Sequence, residues 1–331
     1  SLVKELISDK LVVEVGMKEM FTSGRKAILL KVNPHGGYFV GVEITKSAII
    51  IDIYDLRFDV ILHDIIKIDS FVNLEENIVN YISESIKNFN HKIMGITIGI
   101  AGIVENNELV SSTVFEIENK TDIVGAIQNV FEGIPVYLIN NSSLIAYAEK
   151  EFGNSGDVKN LVSVDIDEGV GAGIVMSGSI YNGANGFAGE FGHVSVDYHG
   201  EKCKCGSCGC LELLVSVPAV IKRAAKIMGK QNVTLAQIVS EIKNHNIYVS
   251  RVVEDAAKAL SFGINNIINL IDPEIIVISG GIRELGDDFL IILKQLLYEK
   301  TISKNVEIRY STIDKNTVTL GGAKYAFDML Y

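Results

Sequence analysis

The stretch that decides the fold reads Gly189-Glu190-Phe191-Gly192-His193 and then, from ten residues past the histidine, Cys203-Lys204-Cys205-Gly206-Ser207-Cys208-Gly209-Cys210-Leu211-Glu212. All four cysteines of the 331-residue chain lie in its second part. Thiolate sulfur and imidazole nitrogen are the preferred donors to tetrahedral structural zinc, and three of these cysteines with the histidine make a closed set. Disulfides are the weaker reading. Cys203/Cys205 and Cys208/Cys210 are spaced too closely to bridge without strain. No signal peptide precedes them, so a reducing, cytoplasmic compartment is expected. Chance scatter does not place four cysteines so tightly. Glu190 and Glu212 bracket the cluster.

Working outward, the length fits about two domains. Hydrophobic residues make up 48% of the chain and prolines number four, which supports large cores and argues against disorder. A net charge of -11 disfavours a free-standing nucleic-acid binder. No uninterrupted apolar run reaches the length of a membrane span. The chain opens on Ser1, which reads as a fragment or processed chain with sequence upstream.

Before the cluster, residues 2–32 read as a helix end followed by a hairpin, with strands at 10–16 and 27–30 and a turn at Ser23-Gly24. Arg25 and Lys26 at that turn fit an ordinary edge hairpin, or a wing whose basic tip meets phosphates. Strands follow at 38–44, 47–53 and 60–62, then a helix face through Leu74, Ile78, Tyr81, Ile82 and Phe89. Further strands are expected at 95–100 and 135–139, with a helix over 142–152. The scheme then repeats. Strands at 161–166 and 171–176 flank Asp167-Glu168-Gly169-Val170. A helix over 213–228 has Pro218 in its first turns, a long helix covers 251–270, and a strand at 275–278 runs into Ser279-Gly280-Gly281. Two successive units, each opening with three strands, predict a duplicated α/β architecture with a cleft between its halves. Such clefts are the default seat of a small ligand.

The Gly-Glu-Phe-Gly-His pattern with its cysteine run resembles the signature of the ROK family of repressors and sugar kinases. Three further segments are similar to that family: Asn182 to Gly189 leading into the metal stretch, Asp272-Pro273-Glu274 through Gly281 as an adenosine-side turn, and Gly321-Gly322-Ala323. The resemblance implies an actin-like ATPase, ribonuclease-H-like fold of two lobes with an interdomain cleft. Ser23 to Leu30 and Asn33-Pro34 resemble the linker after the winged helix of xylose-repressor-type members, which points to the repressor branch. The implied division is 1–36 as a remnant of the winged-helix domain and its linker, 37–135 with 311–331 as the N-terminal lobe, and 136–310 as the C-terminal lobe with the zinc motif.

The same resemblance implies that Asn140, Asn141, Glu190, His193 and Glu212 hold a monosaccharide. Carboxylates, amides and an imidazole can pair each of its hydroxyls. It assigns structural zinc to His193, Cys203, Cys205 and Cys210, leaving Cys208 spare, and gives His193 a second role toward the ligand. Three departures argue against ATP use and leave no catalytic residue expected. Asn141 stands where kinases of the family carry the aspartate base, and an amide cannot take up the proton. Glu43-Ile44-Thr45-Lys46-Ser47 replaces Asp-x-Gly-Gly-Thr, and Asp167-Glu168-Gly169 replaces Gly-Thr-Gly, which puts carboxylates where phosphates would lie. The expected protein is a sugar-responsive transcriptional repressor. A ROK-type sugar kinase, phosphorylating hexoses with ATP, is the alternative. The partners implied are operator DNA, met through Arg25, Lys26 and the upstream winged helix, and a second copy in a homodimer or dimer of dimers, with no membrane.

Overall fold

The computed structural model describes residues 2–17, 28–68, 74–112, 114–117, 120–303 and 305–330. The chain forms two compact units, residues 1–144 with 316–331, and residues 145–315.

The first unit opens with α1 (Leu2–Ser8) and an antiparallel hairpin, β1 (Val12–Met17) with β2 (Ile28–Val32). Arg25, Lys26 and the expected Ser23-Gly24 turn lie outside the described residues. Residues 33–37 join the hairpin to the sheet. Asn33 Nδ2 donates to the Lys10 carbonyl at 2.6 Å, and the Leu56 N–H donates to the Pro34 carbonyl at 3.2 Å. A Cβ at Gly36 would lie 2.5 Å from the Lys10 oxygen.

The sheet begins with a meander, β3 (Tyr38–Ile44), β4 (Ala48–Tyr54) and β5 (Val60–Lys67), whose alternating positions face the core. Next come α2 (Leu74–Ile86), β6 (Ile93–Ile100), a small hairpin of β7 (Ile103–Glu105) and β8 (Glu108–Ser111), α3 (Ile123–Gln128), β9 (Val136–Asn140) and α4 (Asn141–Phe152), which passes into the second unit from Ile145. Strand order is β5-β4-β3-β6-β9, with β6 parallel to β3 and β9 parallel to β6. Ile78, Ile82 and Ile86 repeat every four residues, so one face of α2 is buried on the sheet.

The second unit repeats this order. A meander of β10 (Leu161–Ile166), β11 (Val170–Met176) and the short β12 (Ser179–Ile180) precedes α5 (Glu212–Val215), α6 (Val217–Met228), α7 (Leu235–Lys243) and α8 (Ile247–Ile271). Then come β13 (Ile275–Ser279), α9 (Asp287–Lys300) and β14 (Glu307–Tyr310). The sheet runs β12-β11-β10-β13-β14, with β13 parallel to β10 and β14 parallel to β13. Finally α10 (Thr317–Asp328) returns to pack on β3 and β6 of the first unit. Two sheets with one strand plan bear out the duplicated α/β reading.

Three details differ from expectation. The helix over 213–228 is two helices, because Ser216 is extended (ψ 149°) and Pro218 occupies the first turn of α6. The long helix starts at Ile247, where the Asn246 side chain accepts from the Val249 N–H. Residues 136–140, assigned by sequence to the second body, hydrogen-bond to β6 and complete the first sheet. Residues 311–315, assigned to the first, fall in the second, where the Ser311 N–H donates to the Ile278 carbonyl.

Candidate metal and ligand site

Residues 190–193 form a tight turn pressed on β11. Gly189 has φ +97°, and a Cβ there would lie 2.0 Å from the Ala172 oxygen; one at Gly192 would lie 2.4 Å from the Val170 oxygen. Only glycine allows this approach. Phe191 is buried over Gly263 of α8, where a Cβ would meet its ring at 2.7 Å. The buried phenyl anchors the turn and leaves Glu190 and His193 partly exposed.

The cysteine run folds back on this turn. The Leu211 N–H donates to the Val194 carbonyl, the Val196 N–H to the Gly209 carbonyl, and Ser195 Oγ to the Cys208 carbonyl. These bonds gather His193, Cys203, Cys205 and Cys210, whose ligand atoms all lie within 4.8 Å of one another. His193 Nδ1 is 3.7 Å from Cys203 Sγ, and Cys205 Sγ is 3.6 Å from Cys210 Sγ. A tetrahedral site with bonds of about 2.3 Å to sulfur has edges of about 3.8 Å, so the donor set fits. Cys208 is exposed and stands outside the set. Burial first, then the neighbouring Cys205 and Cys203, push the Cys210 thiol up to about 12. Thiolates packed this closely need a cation, and a bound metal supplies one.

The same imidazole faces two ways. With Nδ1 toward the sulfurs, His193 Nε2 lies 3.9 Å from Glu190 Oε2. Glu212, at the first position of α5, accepts from the Val170 N–H at 3.2 Å. The Val170 amide was not found by sequence reasoning, because nothing local ties it to a residue 42 positions away. Burial raises the Glu190 carboxyl above its ordinary value; His193 lowers it and Glu212 raises it further. A carboxyl raised on folding stabilises the fold below its unfolded pKa, and that contribution is lost as pH rises through the folded value. Glu190→Gln is therefore expected to gain melting temperature relative to wild type as pH rises from about 4 to about 7. Melting curves across that range are the check, and a gap that does not change with pH would contradict the assignment.

In the first unit, Asn140 Nδ2 donates to the Gly102 carbonyl and its Oδ1 accepts from the Ser142 N–H, both at 2.8 Å. Asn140 is thus held by its own unit. Asn141 differs: its Oδ1 is buried without a hydrogen-bond partner. An orphaned buried acceptor costs about 1–3 kcal/mol, and a donor hydroxyl would relieve that cost.

Both loops read as degraded phosphate motifs are closed on themselves. The Ser47 and Ala48 N–H groups donate to Thr45 Oγ1, so they are not free for a phosphate. The Asp167 N–H donates to the Gly169 carbonyl, and the Asp167 and Glu168 side chains are exposed. Nearby Asp165 is pushed up by burial and accepts from Ser279 Oγ at 2.9 Å. Carboxylates at this turn repel a triphosphate.

A duplicated sheet plan with a His-Cys cluster beside paired glutamates defines the class. The chain belongs to the ROK family, whose model matches residues 39–328. It is 27% identical to a xylose repressor of Caldicellulosiruptor bescii (strain ATCC BAA-1888 / DSM 6725 / KCTC 15123 / Z-1320), over 97% of this chain and 86% of that protein. A crystal structure described as a ROK family transcriptional regulator, homolog of the E. coli MLC protein, superposes with a TM-score of 0.88 at 26% identity, covering 100% of this chain and 87% of the other. The ROK hexokinase from Thermus thermophilus shares the fold, with a TM-score of 0.75 at 19% identity over 88% of this chain and 99% of its own. These likenesses bear out the family and the actin-like fold inferred from the cysteine run.

Proposed function

We propose that the chain is the sugar-responsive body of a ROK transcriptional repressor. The observation that carries the reading is Asn141. By the family resemblance this amide stands where kinases carry the aspartate base, and its side-chain oxygen is buried and unpaired. It can accept from a sugar hydroxyl and cannot deprotonate it. The repressors named among the relatives support the same branch, as do the two self-closed loops. A monosaccharide is the effector, with Asn140, Asn141, Glu190, His193 and Glu212 as the recognition set. Zinc is the metal of the His193, Cys203, Cys205 and Cys210 set, and its role is structural. Operator DNA is the second partner, approached by symmetric dimers in the cytoplasm, with Arg25 and Lys26 as phosphate contacts. No helix among the described residues is long and apolar enough to cross a membrane.

Calorimetric titration of the zinc-loaded protein with xylose, glucose and N-acetylated hexoses is expected to find at least one binder. Silence across the panel would sink the effector assignment for those sugars. Asn141→Asp is expected to leave phosphoryl transfer undetected in a coupled ADP assay, because both phosphate loops stay closed. Robust turnover by wild type that is lost in Asn141→Ala would restore the kinase reading.

A further inference from the structure

The metal reading treats its three cysteines alike, yet Cys205 and Cys210 differ in exposure while their sulfurs lie close together. Cys205 is exposed, Cys210 is 0% exposed, and their sulfurs lie 3.6 Å apart. A disulfide is about 2.05 Å long, so the approach still required is about 1.5 Å. The side chains have room to make it at the outer edge of the turn, where nothing lies within 4 Å of a Cβ placed at Gly206. Cys203 is tied to the same turn, its N–H donating to the Ser207 carbonyl and its carbonyl accepting from the Gly206 N–H, and it is buried, so an oxidant meets Cys205 before it. Cys208 is exposed too, but its carbonyl is bound by Ser195 and its backbone bridges Lys202, and its sulfur is not in the cluster.

We propose that Cys205 and Cys210 are a peroxide-oxidised thiol pair whose cross-linking ejects the metal. Cys205 is the sulfur an oxidant reaches first. It attacks one oxygen of hydrogen peroxide, the O–O bond breaks, and Cys205 becomes a sulfenic acid while one water leaves. The Cys210 sulfur then attacks the Cys205 sulfur, the S–O bond breaks, and hydroxide leaves as the second water, the two protons that the metal-held thiolates lack being drawn from solvent. Two thiolates lose two electrons and the peroxide is reduced to two waters. With both sulfurs consumed, His193 and Cys203 alone face the metal, and two donors do not hold a tetrahedral site. This inference rests on the metal reading above, not on the identity of the sugar.

The test begins with zinc-loaded protein whose metal content has been measured. Graded hydrogen peroxide is added, released zinc is read with a chromogenic chelator, and free thiols are alkylated for peptide mass mapping. Zinc release is expected to rise in step with a Cys205–Cys210 cross-link, and both should reverse on adding a thiol reductant and zinc. Cys208→Ser should behave as wild type. Zinc retained under peroxide overturns the proposal. Release accompanied by a cross-link through Cys208, or by sulfinic and sulfonic acids alone, does the same. If the starting protein takes up no zinc, the metal reading fails by itself. Mapping the peroxide-treated metal-free chain then decides the thiol pair.

Discussion

For the proposed zinc and sugar site, Cys210→Ala, or exhaustive chelation of the wild type, is expected to lower sugar affinity by about 100-fold, the loss of one to two charge-assisted hydrogen bonds. Cys210 is the innermost donor, 0% exposed, and stands two residues before Glu212. The Leu211 N–H between them is the bond that fixes this strand to Val194. On the other side, His193 holds one nitrogen toward the sulfurs and the other toward Glu190. Without a cation the thiols take up protons, and the attraction that holds the imidazole in place is gone. Glu190 and Glu212 then lose their fixed separation, and a polar site loses affinity when its groups are misplaced. Titration calorimetry before and after chelation, with zinc content measured on the same samples, is the check. Unchanged affinity in verified metal-free protein would remove the metal from the recognition site.

The second large effect is structural. Arg309→Met is expected to cost about 3–5 kcal/mol at neutral pH, the usual result of stripping one partner from a buried ion pair. Glu149 on α4 is 0% exposed. Arg309 Nη1 reaches it at 3.5 Å, and the Ser311 hydroxyl donates to its other oxygen. The same guanidinium donates to the Gly153 carbonyl and Ser155 Oγ, so it also ties the end of α4 to β14. Burial raises the Glu149 carboxyl, while Ser311 and then Arg309 lower it. Removing the arginine leaves the upward push less opposed. The variant's folded state then holds its proton to higher pH, and its deficit relative to wild type grows as pH rises above the ordinary glutamate range. Urea midpoints for both proteins at acid and neutral pH test this. A deficit of equal size at both would mean that lost packing, not an unpaired charge, is responsible.

Local features carried most of what the sequence disclosed. The strand runs of both sheets alternate or stay apolar over short lengths, and the cysteine cluster with its histidine pointed to a metal, while the choice of Cys208 as the spare came from the family resemblance. The position of Pro218 marked the break before α6. Long-range pairings left no such trace. Asp52 is 0% exposed and accepts from the Thr319 hydroxyl, 267 positions away, while His63 Nδ1 lies against its other oxygen. Only the packing of α10 on the first sheet creates that contact. Glu274, in the turn likened to an adenosine-side segment, accepts from the Lys159 and Asn160 N–H groups, both at 2.9 Å and 115 and 114 positions away. Side-chain acceptors that serve backbone donors look the same in sequence as those that serve a ligand.

The segment from Asn33 to Gly37 has a mechanical consequence. A short segment between a hairpin and a sheet is commonly pictured as a swivel. Here it is a weld: Asn33 grips Lys10, Pro34 is bonded to Leu56, and Gly36 has no clearance for even a methyl group. Leu11 is seated in the apolar cluster of Phe39, Tyr54 and Leu56. The hairpin is therefore an outrigger of the first sheet, and its heading is inherited from that sheet. A movement of the first sheet at Leu56 is passed to the base of the hairpin through the Pro34 carbonyl and the Leu11 side chain.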